Sequence, residues 1–164
     1  MQLAFTAIAK SLVLIGAANM APVGLNLLLS DRISAPIDGG LAWPDGRRFL
    51  GPSTTWRGVA GGLLLPACLS PLIGFSWLAG MSAGAAAMAG DCLSSFVKRR
   101  LGFESSGMAL GLDQVPEAFL PALALRAYVK LGVVDICAIV LVFSLGALAL
   151  SPLFFRLGLR KRPY

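Results

Sequence analysis

The chain has 164 residues, of which 57% are hydrophobic and 13% charged, and its mean hydropathy is +0.79. A soluble domain carries roughly 25% charged residues, so the composition excludes an ordinary soluble domain and leaves one membrane-embedded unit over 1–164. Histidine is absent, which removes Ser-His-Asp and Cys-His catalysis and histidine metal ligands.

Residues 2–29 are apolar apart from Lys10. More apolar sequence follows, so the stretch reads as a retained first span rather than a cleaved leader. Asn19 and Asn26 are seven apart and share a helix face, with Pro22 between them. A buried amide in lipid needs a partner or a wet cavity. The pair is therefore either interhelical glue beside a proline kink or part of a site.

Residues 30–58 form a first polar loop, rich in Pro, Gly, Asp and Arg, with turn signals in Pro36-Ile37-Asp38-Gly39-Gly40 and Pro44-Asp45-Gly46-Arg47. Trp43, Phe49 and Trp56 give it surface to pack. Its arginines and aspartates either neutralise one another or make a polyanion site.

Residues 59–75 give a short second span broken by Pro66 and Pro71, with Gly58 and Gly62 in the spacing that lets helices approach closely. No charge follows until Asp91, so the turn near Ser70–Ser76 belongs on the far side. Residues 77–97 form the third span, with Gly80, Gly84 and a run of alanines. Asp91 lies inside it and must face a cation or a metal.

The second polar loop, 98–117, opens on Lys98-Arg99-Arg100 and closes on Asp113 and Glu117. Asp91, Ser95 and Lys98 stand at i, i+4 and i+7, on one face of a helix. Residues 118–133 give a weak fourth span containing Arg126 and Lys130, and 134–155 a fifth, starting near Asp135. A basic tail, 156–164, ends the chain. Cys68, Cys92 and Cys137 lie in apolar runs without metal or redox spacing and read as buried structural thiols.

Apart from Lys10, Arg126 and Lys130, the basic residues fall in three clusters: Arg32–Arg57, Lys98–Arg100 and Arg156–Arg162. The positive-inside rule puts all three on the cytoplasmic side. Five spans satisfy this, with the amino terminus outside and the carboxyl terminus inside. The expected fold is therefore an all-α integral membrane protein of about five transmembrane helices with two functional cytoplasmic loops. Every acid except Asp135 lies in or beside the first two clusters, which topology alone does not explain.

Acids and bases without histidine suit a metal-bound phosphate substrate. Mg²⁺ takes one or two carboxylates with phosphates and waters, and Arg and Lys neutralise phosphate charge. Asp91 and Asp113 are the natural carboxylates, with Glu117 and Asp38 in reserve. Lys98, Arg99, Arg47 and Arg57 are the natural phosphate partners. There is no Walker A loop and no G-x-G-x-x-G, and no inverted repeat of the kind secondary transporters show.

Over nearly its whole length the chain resembles the CDP-archaeol synthase family and its bacterial relatives, within the wider class of membrane CTP:phosphatidate cytidylyltransferases. The resemblance begins at Asn19 and Pro22 and runs through Pro36-Ile37-Asp38-Gly39-Gly40, Asp45-Gly46-Arg47-Arg48, Gly51 and Thr55-Trp56-Arg57-Gly58. It continues at Gly90-Asp91, Ser95-Phe96, Lys98-Arg99-Arg100, Gly102 and Asp113-Gln114, and ends on the basic tail from Leu157 to Pro163. Thr54, Pro116 and Tyr164 depart from it, standing where the family commonly has Lys, an acid and His. The Asp-Gly-Arg-Arg run does not continue as the CDP-alcohol phosphotransferase signature does.

The resemblance implies transfer of CMP from CTP to a phosphatidyl-type lipid phosphate, either phosphatidate or an isoprenoid-ether glycerol phosphate. The products are CDP-lipid and pyrophosphate, made with Mg²⁺ at the cytoplasmic face of the inner membrane and without a nucleic-acid partner. It implies Asp91, Lys98 and Asp113 as catalytic residues, Asp91 and Asp113 holding the metal. Substrate would be bound by Asn19, Asp38, Arg47, Arg57, Ser95 and Arg99, with Asp38 orienting the first loop. The alternatives are a non-catalytic scaffold or degenerate relative, motivated by Thr54, and a small transporter, motivated by Asp91 and Asn19 within spans.

Overall fold

The computed structural model describes residues 4–30, 32–103, 109 and 111–156. Asp31 of the first loop, much of the second loop between 104 and 110, and the basic tail from 157 onward lie outside them. Among the described residues five α-helices follow one another: α1 Phe5–Leu29, α2 Trp56–Leu69, α3 Trp77–Leu101, α4 Gln114–Leu125 and α5 Val133–Arg156. A 3₁₀ turn, Pro71–Ile73, continues α2.

α1, α2 with its 3₁₀ turn, and α5 are long and apolar enough to cross a membrane by length and composition. α3 is as long as α1, at 25 residues, but it is built of Ala, Gly and Ser and ends on Lys98-Arg99-Arg100. It sits at the centre, packed on α2, α4 and α1. α4 differs from the expected span at 118–133. It starts earlier, at Gln114, and stops at Leu125, only about 18 Å of helix. Arg126 and Lys130 lie beyond it, exposed in the turn to α5, so no charge has to be carried within the helix.

Helix ends are set by local chemistry. Thr55 caps α2, accepting from the Gly58 N–H at 3.3 Å, and Ser76 caps α3, accepting from the Ala79 N–H at 3.3 Å. α3 ends at Gly102, whose φ of 83° is the left-handed conformation a helix terminus commonly adopts at glycine. The Phe103 N–H closes the turn on the Lys98 carbonyl at 3.0 Å. Lys98, Arg99 and Arg100 are therefore the last turn of α3 rather than loop residues, where cations offset the helix dipole.

Small residues set how closely α3 is approached. A Cβ added at Gly80 would fall on the Pro66 carbonyl of α2, and one at Gly84 on the Gly62 carbonyl. At Gly90 it would lie 2.6 Å from the Pro116 carbonyl oxygen of α4. Ile8, Leu14 and Ile15 of α1 pack with Ala79 and Ala83 of α3, Ala122 and Leu125 of α4, and Ile136 and Ile139 of α5 in the far half of the bundle. Ala18, Ala87 and Met88 form a smaller cluster with Val59 nearer the loops.

The cysteines are not buried thiols. Cys68 and Cys137 are exposed and Cys92 is partly so, and all are free. They lie on outward helix surfaces, where lipid rather than protein accounts for an apolar neighbourhood.

Candidate active site

The polar end of the bundle is assembled from the first loop, the last two turns of α3 and the start of α4. The first loop is ordered around Asp38. Its carboxylate accepts from the Gly40 N–H at 3.0 Å, Arg48 Nη2 at 2.7 Å, the Leu50 N–H at 3.2 Å and the Gly51 N–H at 2.9 Å. The side chain is wholly buried. Burial alone would raise its pKa, but the Gly51 and Gly40 N–H groups, Arg48 and the Leu50 N–H outweigh it and hold the carboxyl at about 2. With both oxygens occupied by groups of its own loop, Asp38 holds the loop together.

Asp45 makes the next turn. Its Oδ1 accepts from the Arg47 N–H at 3.0 Å, and Gly46 takes a φ of 77°, which favours glycine. This turn docks on α3. Arg47 Nη1 donates to the carbonyls of Arg99 at 3.2 Å and Arg100 at 2.6 Å. Arg100 returns bonds to Asp45 Oδ1 at 2.7 Å and to the Arg48 carbonyl at 2.7 Å. Its guanidinium also lies over Phe96 and Trp43, 5.2 and 5.8 Å from the ring centroids. Trp43, Phe49 and Phe96 pack at centroid distances of 5.1–5.5 Å. The sequence reading missed Arg100 as the clamp; the signal for it was the aromatic set Trp43, Phe49 and Phe96.

Beside the clamp lies a cleft of about 380 Å³ lined by Arg47, Arg48, Arg99, Gly51, Gly102 and Phe103. It combines three guanidinium groups from two segments and, among the described residues, no acidic lining residue, a lining suited to a polyanion. Arg48 was not among the expected substrate residues, yet it both lines this cleft and pairs with Asp38.

Deeper, Lys98 Nζ meets Asp113 Oδ1 at 2.9 Å, while Asp113 Oδ2 accepts from the Ala109 N–H at 3.1 Å. Asp91 is half-buried and within electrostatic reach of both Lys98 and Asp113. The α3–α4 contact at Gly90 and Pro116 brings these acids together. Ser95, on the same face of α3, is buried, and Thr54 Oγ1 donates to its Oγ at 3.4 Å. Asp91, Ser95, Lys98 and Asp113 thus form one cluster at the mouth of the bundle.

Asn19 and Arg57, expected to bind substrate, make contacts with nearby backbone and side chains. Arg57 donates to the carbonyls of Ser30 at 2.6 Å and Arg32, and to Asn26 Oδ1 at 2.6 Å. It ties the start of α2 to the end of α1. Asn19 donates to the Ile15 carbonyl of its own helix at 3.0 Å, next to Ala18 in the Ala18–Ala87–Val59 contact. Among the described residues no set of three Asp, Glu or Cys side chains clusters as metal ligands, so a cation here would draw on two carboxylates with substrate oxygens and water.

From residue 5 to residue 164 the chain matches the family model described as CarS-like, CDP-archaeol synthase. It belongs to the CDP-archaeol synthase family. Curated members similar to it include the CDP-archaeol synthases of Hyperthermus butylicus, 42% identical over 105 residues and 60% of each chain, and of Thermococcus gammatolerans, 41% identical over 110 residues and 60% of each. That of Pyrococcus furiosus is 37% identical over 89 residues, 48% of this chain and 53% of the relative. The matched region thus spans a little over half the length of these CDP-archaeol synthases. A solved structure, described as an intramembrane enzyme for archaeal membrane lipids biosynthesis, superposes with a TM-score of 0.61 at 27% identity, covering 84% of this chain and 90% of that one. The fold over most of the chain is therefore shared with that intramembrane enzyme.

Proposed function

We propose that the protein transfers CMP from CTP to a lipid phosphate, giving CDP-lipid and pyrophosphate. The observation that carries this is the convergence of Asp91, Lys98 and Asp113 where α3 meets α4, beside a cleft lined by three arginines, in a chain of the CDP-archaeol synthase family. An oxygen of the lipid phosphate attacks the α-phosphorus of CTP. The bond between that phosphorus and the oxygen bridging to the β-phosphate breaks, and pyrophosphate leaves with that oxygen. Catalysis of such a step is mostly positioning and charge neutralisation.

Lys98 neutralises phosphate charge next to the reacting phosphorus. Arg47, Arg48 and Arg99 receive the β- and γ-phosphates and hold the departing pyrophosphate. Ser95 offers a hydroxyl on the same face of α3. Asp91 and Asp113 would hold Mg²⁺, which fits their chemistry because Mg²⁺ is commonly bound by one or two carboxylates together with phosphates and waters. When bound, the ion supplies charge neutralisation at the phosphates.

The acceptor is an isoprenoid-ether glycerol phosphate, as the names of the relatives indicate, in preference to phosphatidate. The site faces the cytoplasm from the inner membrane, with the amino terminus outside and the carboxyl terminus inside. The Lys98–Arg100 turn and the first-loop arginines at one end of the bundle support this orientation under the positive-inside rule.

The test uses purified protein in detergent with Mg²⁺ and α-labelled CTP, offered an unsaturated isoprenoid-ether glycerol phosphate or phosphatidic acid separately. Label moving into the ether lipid, and lost with EDTA and in Asp91→Asn, is the expected result. Preferential transfer to phosphatidic acid overturns the acceptor assignment. No transfer to either lipid from folded, monodisperse protein overturns the activity.

A further inference from the structure

The cluster at the mouth of the bundle joins one ammonium to two carboxylates. Lys98 pairs with Asp113 at 2.9 Å, with the two side chains 11% and 14% exposed. Asp91, two turns earlier on the same face of α3, is acted on by both charges. Two carboxylates in a poorly hydrated site repel one another unless a cation stands among them. The backbones that carry them are locked where Gly90 meets Pro116, which leaves side-chain movement as the means of rearrangement. Lysine suits this, being a compact charge on a flexible four-carbon stem.

We propose that Lys98 is the resident counter-ion of the Asp91–Asp113 pair in the substrate-free protein, and that a divalent cation and Lys98 exclude one another there until substrate phosphate gives Lys98 a new partner. This rests on the metal-dependent reading above. Its consequence is order: the cation alone binds weakly, because it must displace the ammonium already paired with Asp113. With nucleotide present the same ammonium moves onto phosphate, and cation and nucleotide each strengthen the binding of the other. Lys98 then serves twice, guarding the carboxylates at rest and neutralising phosphate during turnover.

The experiment titrates Mn²⁺ alone into the purified full chain, reading free Mn²⁺ by electron paramagnetic resonance without nucleotide. Wild type is compared with Lys98→Met, Lys98→Gln, Lys98→Arg and Asp91→Asn. Lys98→Gln keeps a donor for Asp113 and covers the case in which Lys98→Met fails to fold. The expected result is Mn²⁺ binding roughly tenfold tighter or more in Lys98→Met and Lys98→Gln, unchanged in Lys98→Arg and lost in Asp91→Asn. Equal or weaker binding in both uncharged variants, with Asp91→Asn still losing it, overturns the counter-ion role and leaves the metal reading standing. No binding in any variant, with lipid labelling insensitive to EDTA, overturns the metal reading and this inference with it.

Discussion

Arg47 and Arg100 hold one another's backbone. Arg47 donates to the carbonyls of Arg99 and Arg100, and Arg100 donates to the carbonyls of Arg47 at 3.4 Å and Arg48 at 2.7 Å. Two like charges tolerate this proximity because the Arg47 guanidinium lies on carbonyl dipoles, and the Arg100 guanidinium on carbonyls, Asp45 and aromatic faces. Arg47 also satisfies carbonyls at the end of α3 that have no partner within the helix.

Arg100→Ala is expected to release the first loop from α3 and lower stability by about 1–3 kcal/mol. Faster tryptic cleavage within residues 32–55 is the readout. Arg100→Lys recovers little of this, since one ammonium cannot reproduce the planar fork that serves Asp45 and the loop carbonyls while stacking on Phe96. Full protection in the lysine variant would show that charge alone holds the loop.

Asp38 gives a pH dependence with a defined sign. Its carboxyl is held at about 2 in the folded protein, below the ordinary value near 3.9. The stabilisation is fully present above the ordinary value and is lost as pH falls from about 4 towards 2, amounting to roughly 2–3 kcal/mol. Asp38→Asn costs about 3 kcal/mol at neutral pH, because its amide nitrogen would face N–H donors at one of two occupied positions. Thermal unfolding in detergent as a function of pH measures both, and the variant should show a flatter acid limb than the wild type.

Gly90→Ala is expected to push α4 away from α3, since its Cβ would meet the Pro116 carbonyl at 2.6 Å. The stability cost is about 1–3 kcal/mol. Turnover should fall further than stability implies, by roughly a hundredfold, because the contact sets the spacing of Asp91 and Asp113. Circular dichroism separates the two effects by showing retained helix content.

Asp91 and Asp113 are expected to act as one unit. Asp113→Asn should lower CMP transfer at least about a hundredfold, and the Asp91→Asn/Asp113→Asn double variant should be scarcely worse than either single one. Multiplying losses in the double variant would mean independent roles.

Arg99→Ala is expected to raise the KM for CTP about tenfold through loss of a charged phosphate contact. Arg126→Ala, at an exposed position in the turn at the far end of the bundle, serves as the control and should leave KM unchanged. Initial rates across a CTP series check both.

The sequence by itself determined the features that depend on neighbours along the chain. Hydropathy and the scarcity of charge gave helices in the observed order, three of them long and apolar enough to cross a membrane. The uncharged stretch before Asp91 placed the Ser70–Ser76 turn away from the basic loops, and helical spacing put Asp91, Ser95 and Lys98 on one face. Each of these follows from a periodicity or a solvation preference that acts over a few residues. Tertiary structure alone decided the partnerships. Arg57 and Arg47 look alike as loop arginines, yet Arg57 ties α2 to the end of α1 while Arg47 joins the cleft. Asp38 and Asp91 look alike as acids, yet Asp38 is saturated by its own loop while Asp91 is held near Lys98 and Asp113. The difference lies in which backbones come close, as at Gly90 and Pro116, and that approach is a property of the packed bundle that no local pattern encodes.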